Sequence, residues 1–275
     1  MSKVQFCLGA SLSFTQTVEE QVRLFQKCGF DAFFVAWNDK LPMRRALADE
    51  LGMTLQSVHA PFSNAANMWR EDDLGRLATE ELLTCVEDTA RVHVPILVIH
   101  PYKGFAPASP TDAGVENFGK VVARAGELGV KIAFENVEGE AFLTTLMDTF
   151  SSCSHVGFCW DSGHELCYNK GKDMLALYGD RLLATHLNDN LGVSSPTGDI
   201  FWTDDLHLLP FDGVQDWAGV ARRLDACGYD GILTFELTRQ SKPGRTENDK
   251  YMEMDIEAYL RECYARACRL VEMRR

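Results

Sequence analysis

Six short apolar runs in this chain end in a side chain that can hold a metal ion or move a proton. They are Ser57-Val58-His59, Val98-Ile99-His100, Ala133-Phe134-Glu135, Cys159-Trp160-Asp161, Ala184-Thr185-His186 and Thr234-Phe235-Glu236. Glu135, Asp161, His186 and Glu236 close four consecutive runs. Three carboxylates and one imidazole make an oxygen-rich ligand set suited to Mn²⁺, Mg²⁺, Co²⁺ or Zn²⁺. Buried together without a cation these carboxylates would repel one another, so a divalent metal is the expected cofactor. A second set comprises His59, His100, His164 and His207 with Asp205. Asp161 and His164 are three apart and Asp205 and His207 two apart, so each short segment can present two ligands in one direction. This set either completes a multinuclear site or orients substrate hydroxyls beside one metal. His93 and His155 lack the strand-end placement and read as ordinary surface residues.

The elements that must position these groups alternate throughout. Strands are expected over residues 4–10, 32–37, 54–60, 96–100, 131–136, 156–161, 182–187 and 232–237. Helical patterns follow over 17–28, 41–51, 72–92, 111–128, 141–150, 172–178, 214–227 and 252–271. Gly29, Gly52, Gly129 and Gly228 sit where helices should stop. The strands are continuous apolar runs, as a parallel sheet covered by helices requires. Eight β/α units without a linker predict a single-domain (β/α)₈ TIM barrel over residues 1–275, whose strand ends converge on one face.

Composition fits that reading. The chain has 275 residues, 46% hydrophobic and 24% charged, typical of a soluble globular protein. A net charge of −13 gives no general attraction for nucleic acid or an anionic membrane. Nine cysteines without a C-x-x-C pair read as reduced and structural, with Cys7, Cys85, Cys159 and Cys263 inside elements. No apolar stretch is long enough for a membrane span. The opening residues lead straight into the first strand without a signal peptide, so a cytoplasmic location is expected.

The ordered motifs resemble a known group. His-Ala-Pro-Phe at 59–62, His-Pro-Tyr at 100–102, Glu-Asn at 135–136, Asp-Ser-Gly-His at 161–164, His-Leu-Asn-Asp-Asn at 186–190 and Asp-Leu-His…Gly-Val-Gln-Asp-Trp within 205–217 are similar to the sugar phosphate isomerase/epimerase group of the xylose isomerase-like TIM-barrel superfamily. That superfamily also includes dehydratases and zinc-dependent apurinic endonucleases. Ketose 3-epimerases typically continue the strand-seven His with Gly-x-Glu-like residues and an Arg six positions on. Here Leu187-Asn188-Asp189-Asn190 follows His186, and position 192 is Gly. The endonucleases use a nine-ligand trinuclear zinc set. Each position has a matching residue type here: His59, His100, Glu135, Asp161, His164, His186, Asp205, His207 and Glu236. The text after His207 and the Asp-Ser-Gly-His motif fit the isomerase/epimerase group better.

The resemblance therefore implies a metal-dependent isomerase or epimerase acting on a sugar or sugar phosphate. Glu135 and Glu236 would serve as acid and base on opposite faces of the substrate. Trp37, Phe62 and Trp160 are expected to supply apolar walls. An apurinic-endonuclease-type hydrolase is the alternative, and a non-catalytic binding barrel fits less well with both glutamates present. The loop from Thr238 to Arg245 carries three cations, and Arg239 is expected to bind a substrate anion. Its bland alternative is a solvated loop. The residue types leave open the sugar, the metal and its number, and the oligomeric state.

Overall fold

In the computed structural model, which describes residues 4–10 and 13–274, eight parallel strands form one sheet. The strands are β1 (Phe6–Gly9), β2 (Ala32–Ala36), β3 (Thr54–His59), β4 (Ile96–Ile99), β5 (Lys131–Glu135), β6 (Val156–Asp161), β7 (Leu182–His186) and β8 (Leu233–Phe235). Each pairs with its sequence neighbour, and β8 pairs with β1 through Phe6–Leu233, Cys7–Thr234 and Leu8–Phe235. The ring shuts between β7 and β8 by a single bridge, Leu187 to Phe235. Thr185 and Thr234 reinforce it: Thr234 N–H donates to Thr185 Oγ1 at 3.0 Å, and Thr185 Oγ1 donates to Thr234 O at 3.3 Å. The molecule is a (β/α)₈ TIM barrel. Residues 1–3, 11, 12 and 275, with the reading of the opening residues above, lie outside the described part.

The helices are α1 (Val18–Cys28), α2 (Leu41–Leu51), α3 (Asp73–Arg91), α4 (Asp112–Leu128), α5 (Glu140–Thr149), α6 (Ser162–Cys167), α7 (Met174–Tyr178), α8 (Trp217–Ala226), α9 (Asp249–Met252) and α10 (Ile256–Met273). Their starts follow from capping: Thr17, Asp72, Thr111, Asp173, Asp216 and Asp255 each accept a backbone N–H of the first turn. The four glycines read as helix stops have positive φ, from 63° at Gly52 to 103° at Gly29. Most element ends shift from the sequence expectation by one to three residues, and two features differ more. The helix expected over 252–271 starts at Ile256, because Asp255 caps it and isolates α9. The short α6, directly after β6, was not expected. No helix among the described residues is long and apolar enough to cross a membrane.

The main core lies between sheet and helices, where Phe25, Phe33, Phe118, Phe134, Phe158 and Tyr259 are fully buried. The barrel interior is lined by smaller groups: Cys7 and Ala32 on one side, Val98, Ala133, Cys159 and Ala184 on the other. Phe34 fills the space between them and the site. Its ring lies where a Cβ at Gly9 would sit, 2.5 Å from Phe34 Cε1, so only glycine fits beside it in β1. His155 departs from its expected place on the surface. It is half-buried against Gly126 of α4, with Nε2 3.0 Å from Val122 O.

Candidate metal centre and active site

The C-terminal ends of the strands gather the polar set at one place. Ligand atoms of Glu135, Asp161, His186 and Glu236 lie within 4.8 Å of one another. His186 Nδ1 stands 3.3 Å from Glu135 Oε1 and 3.2 Å from Glu236 Oε2. His59, Glu135 and His186 form an overlapping group, and His164, Asp205 and His207 a separate one. Glu135 is the hub: His59 Nε2 and His100 Nε2 approach its Oε2 at 3.2 and 3.3 Å, and His164 Nδ1 approaches its Oε1 at 3.3 Å.

Local chain geometry aims each ligand. Asp161 is the N-cap of α6 and accepts the backbone N–H of His164 at 2.7 Å, which accounts for the three-residue spacing of that pair. Asn188 Nδ2 donates to both Asp161 oxygens, at 3.1 and 3.0 Å, and Asn136 clamps the Asp161 backbone through its own amide. Gly163 makes room for Asn188; a Cβ there would lie 1.9 Å from Asn188 Oδ1. His59 Nδ1 lies 2.8 Å from Ala60 O, His164 Nδ1 3.0 Å from Asn136 O and His207 Nδ1 3.0 Å from Glu236 O. Carbonyls at these edges fix the ring orientation, the usual support for metal-binding imidazoles. His207 has a φ of 47°, a left-handed conformation that a non-glycine residue keeps only where its surroundings enforce it. Phe34 stacks on His186 at 4.8 Å between ring centres.

The electrostatics are those of a site balanced by cations. Burial alone would raise Glu135, but the imidazoles of His186 and His100 hold it well below the usual carboxylate range. Burial also opposes the shift at Glu236, yet His186 and His207 bring it to about 2. Asp161 goes the other way, to about 6, because burial and the charges of Glu135 and Glu236 outweigh His164 and His207. Burial opposes protonation of His207, but Asp205 and Glu236 lift it to about 9. His164 and His186 are likewise raised against burial, the first by Asp161 and Asp205, the second chiefly by Cys159, Glu135 and Glu236. Both ring nitrogens of His186 and Glu135 Oε1 are buried without a hydrogen bond. Buried polar atoms left this way are costly unless another partner serves them, so the donor set fits a divalent cation.

Above the centre opens a cavity of about 220 Å³. His59, Phe62, His100, Phe105, Tyr168 and Trp202 are among its walls, together with Lys103 and Lys242. Phe62 lines the cavity and stacks on His100 at 4.7 Å. Trp160 does not take part. Its indole is fully buried on the opposite face of β6, donates to Glu165 Oε2 at 2.9 Å and lies under the Arg223 guanidinium. Asp161 points inward, so its neighbour must point outward. Trp37 turns to α3 and donates to Asp88 Oδ2 at 3.0 Å. Arg239 is also corrected: its guanidinium is buried, donating to Tyr251 O at 3.1 and 3.0 Å and to Met254 O. It closes the ends of α9 and is not presented to a ligand. Lys242 from the same loop reaches the cavity in its place, and Arg245 is held by Asp204 and Glu247. Lys103, Phe105, Glu138, Tyr168 and Trp202 also line the cavity without having been singled out from the sequence.

A model of the xylose isomerase-like TIM barrel matches residues 22–263. The chain belongs to that family. A relative in Sinorhizobium fredii, the uncharacterized protein y4fM, is 28% identical over 94% of this chain and 90% of its own length. Among solved structures, an IOLI protein with a bound zinc atom superposes with a TM-score of 0.76 at 18% identity, covering 98% of each chain. The structure of an L-ribulose 3-epimerase gives a TM-score of 0.74 at 15% identity, covering 98% of this chain and 95% of that one. At such identities the superpositions establish that this family member shares their barrel.

Proposed function

We propose that this xylose isomerase-like barrel is a divalent-metal-dependent isomerase or epimerase of small sugars or sugar phosphates. The observation that carries the reading is the convergence of Glu135, Asp161, His186 and Glu236 within 4.8 Å beneath a small walled cavity. The sugar epimerase among its structural neighbours is consistent with it. A divalent cation held by these four side chains would polarise adjacent oxygens of a hydroxy-ketone and acidify the C–H between them. Glu135 closes β5 and Glu236 follows β8, so their carboxylates enter from different parts of the ring. One can take a proton from one face of the substrate carbon while the other returns it to the opposite face, which a single base cannot do. His59 and His100 hold Glu135 Oε2 and border the cavity, where they can meet substrate hydroxyls. Phe62, Phe105, Tyr168 and Trp202 exclude water around the sugar. Glu135→Gln or Glu236→Gln should abolish solvent-deuterium exchange at the substrate carbon under conditions where metal is still bound. Full turnover by either variant would remove that glutamate from the acid–base pair.

A second reading is phosphodiester hydrolysis of the apurinic-endonuclease type. It is favoured by the separate His164, Asp205 and His207 group, which could hold a further cation. Elemental analysis of protein purified without chelator, together with an assay on duplex DNA carrying an abasic site, separates the two. We expect no cleavage; cleavage restored by Zn²⁺ after chelation and absent from Glu236→Gln would reverse the ranking.

A further inference from the structure

We propose that the cavity wall holds an anion subsite formed by Lys103 and Lys242, so that the preferred substrate carries a phosphate or carboxylate on the end remote from the metal centre. The inference rests on the sugar reading above for the identity of the substrate, but the subsite rests on the lysines alone.

Lys103 lies in the loop after β4 and Lys242 in the loop after β8. In an eight-stranded ring these strands stand four places apart in either direction, yet both side chains line the same cavity. They are the cavity's lysine and arginine complement among the described residues, in a chain of net charge −13. Their charges are placed by aromatic faces. Lys103 Nζ sits 4.3 Å from the centre of the Phe62 ring, and Phe62 in turn stacks on His100, giving a column of ammonium, phenyl and imidazole. Lys242 Nζ lies 5.6 Å from the Trp202 ring centre. A π face orients an ammonium without neutralising it, and no carboxylate pairs with Lys103 among the described residues. Lys242 does touch a carboxylate, Asp205 Oδ2 at 3.3 Å, but that oxygen already takes His207 Nε2 at 2.9 Å, and His164 Nε2 lies 3.4 Å from the other. Asp205 is thus shared among His207, His164 and Lys242, so it does not serve as a dedicated partner of the Lys242 ammonium. Glu138 is the remaining acidic side chain on this part of the wall. Its Oε1 is occupied by the Gly104 N–H at 2.9 Å, and burial raises it from the usual carboxylate range, against the opposing charges of His164 and Lys103.

The test is calorimetric titration of metal-loaded protein with D-fructose, D-fructose 6-phosphate, D-fructuronate and inorganic phosphate. The phosphorylated or carboxylated ketose should bind roughly tenfold tighter than D-fructose, about the worth of one charge-assisted hydrogen bond, and whichever is tighter identifies the anion. Lys103→Gln with Lys242→Gln should erase that ratio and weaken inorganic phosphate by a similar factor. Lys→Arg at both positions should retain it. Lys131→Gln, which removes the same charge at the start of β5 on the far face, should leave it intact. Lys103→Gln alone should lower the ratio, and being exposed and unpaired it is safe for folding. Equal binding of neutral and anionic ketoses by the wild type, or an unchanged phosphate affinity in the double variant, overturns the subsite and leaves the isomerase reading standing. Phosphate binding that falls in the double variant, with no ketose bound by either protein, sinks the sugar reading and keeps the subsite.

Discussion

His186, His164 and His207 are held toward their protonated forms while Glu135 and Glu236 are held ionised. In the metal-free protein, protons on imidazoles do the balancing that a cation would otherwise do. The raised imidazoles contribute stability that is complete below the ordinary histidine value of 6.5 and is lost as pH climbs through the folded value, about 9 for His207. The depressed Glu236 contributes stability that is present above its ordinary 4.5 and lost as pH falls through about 2. Metal binding at the four-ligand centre must expel the protons held there, chiefly that of His186, so apparent affinity should rise roughly tenfold per pH unit below the raised folded value of that imidazole. Calorimetry in buffers of different ionisation enthalpy counts those protons; a pH-independent affinity would contradict the balance described. At this scale much was legible in the sequence. A polar residue that ends an apolar strand is visible by position, and the strand ends the reading picked out do meet. Trp160 was misplaced although the sequence held the signal, since two adjacent strand residues cannot face the same way. Lys103 lies in an irregular loop and Trp202 opens a three-residue 3₁₀ turn, neither with a periodicity to say where a side chain goes.

Among the elements, α6 shows how much of the site is held by helix ends. Asp161 serves as ligand and N-cap at once, and Asn188 grips its carboxylate through a gap that exists because residue 163 is glycine. Gly163→Ala should push Asn188 off Asp161 and weaken metal affinity by at least tenfold, with a smaller change in thermal stability; metal titration against melting temperature separates these. The loop after β8 makes a contrasting case. Replacing Arg239 by Met should cost about 2 kcal/mol, the range for hydrogen bonds to a charged group, equivalent to roughly 4–8 °C in Tm. It should leave anion affinity unchanged, because the guanidinium is spent on Tyr251 and Met254 carbonyls. Sequence spacing located the long amphipathic helices. It missed α6 and α9, each too short to show a repeating apolar face, and so missed the break at Asp255.

For the whole molecule, the alternation of eight apolar runs with eight helical patterns was enough to predict the barrel, because ring closure follows from unit count once strands are parallel and covered. The cysteines extend this to a bulk measurement. Cys7, Cys28, Cys85, Cys159, Cys167 and Cys263 are buried, whereas Cys153, Cys227 and Cys268 are half-buried, and all nine are free thiols. Burial pushes the Cys7 and Cys159 thiols up to about 12, leaving them unreactive at neutral pH. A thiol reagent should therefore modify at most the three half-buried positions in native protein and all nine after denaturation. Fast labelling of Cys159 in the native state would mean that the barrel interior opens.

The seam between β7 and β8 has a temporal meaning. Glu236 lies just beyond a three-residue strand whose ladder is with β1, the first strand, and which meets β7 through one bridge. Closing so long a loop is entropically slow. The fourth ligand therefore reaches the centre late in refolding, after Glu135, Asp161 and His186 can already be neighbours through β5, β6 and β7. Metal should accordingly leave the refolding rate nearly unchanged and slow unfolding, acting as a latch on the finished ring.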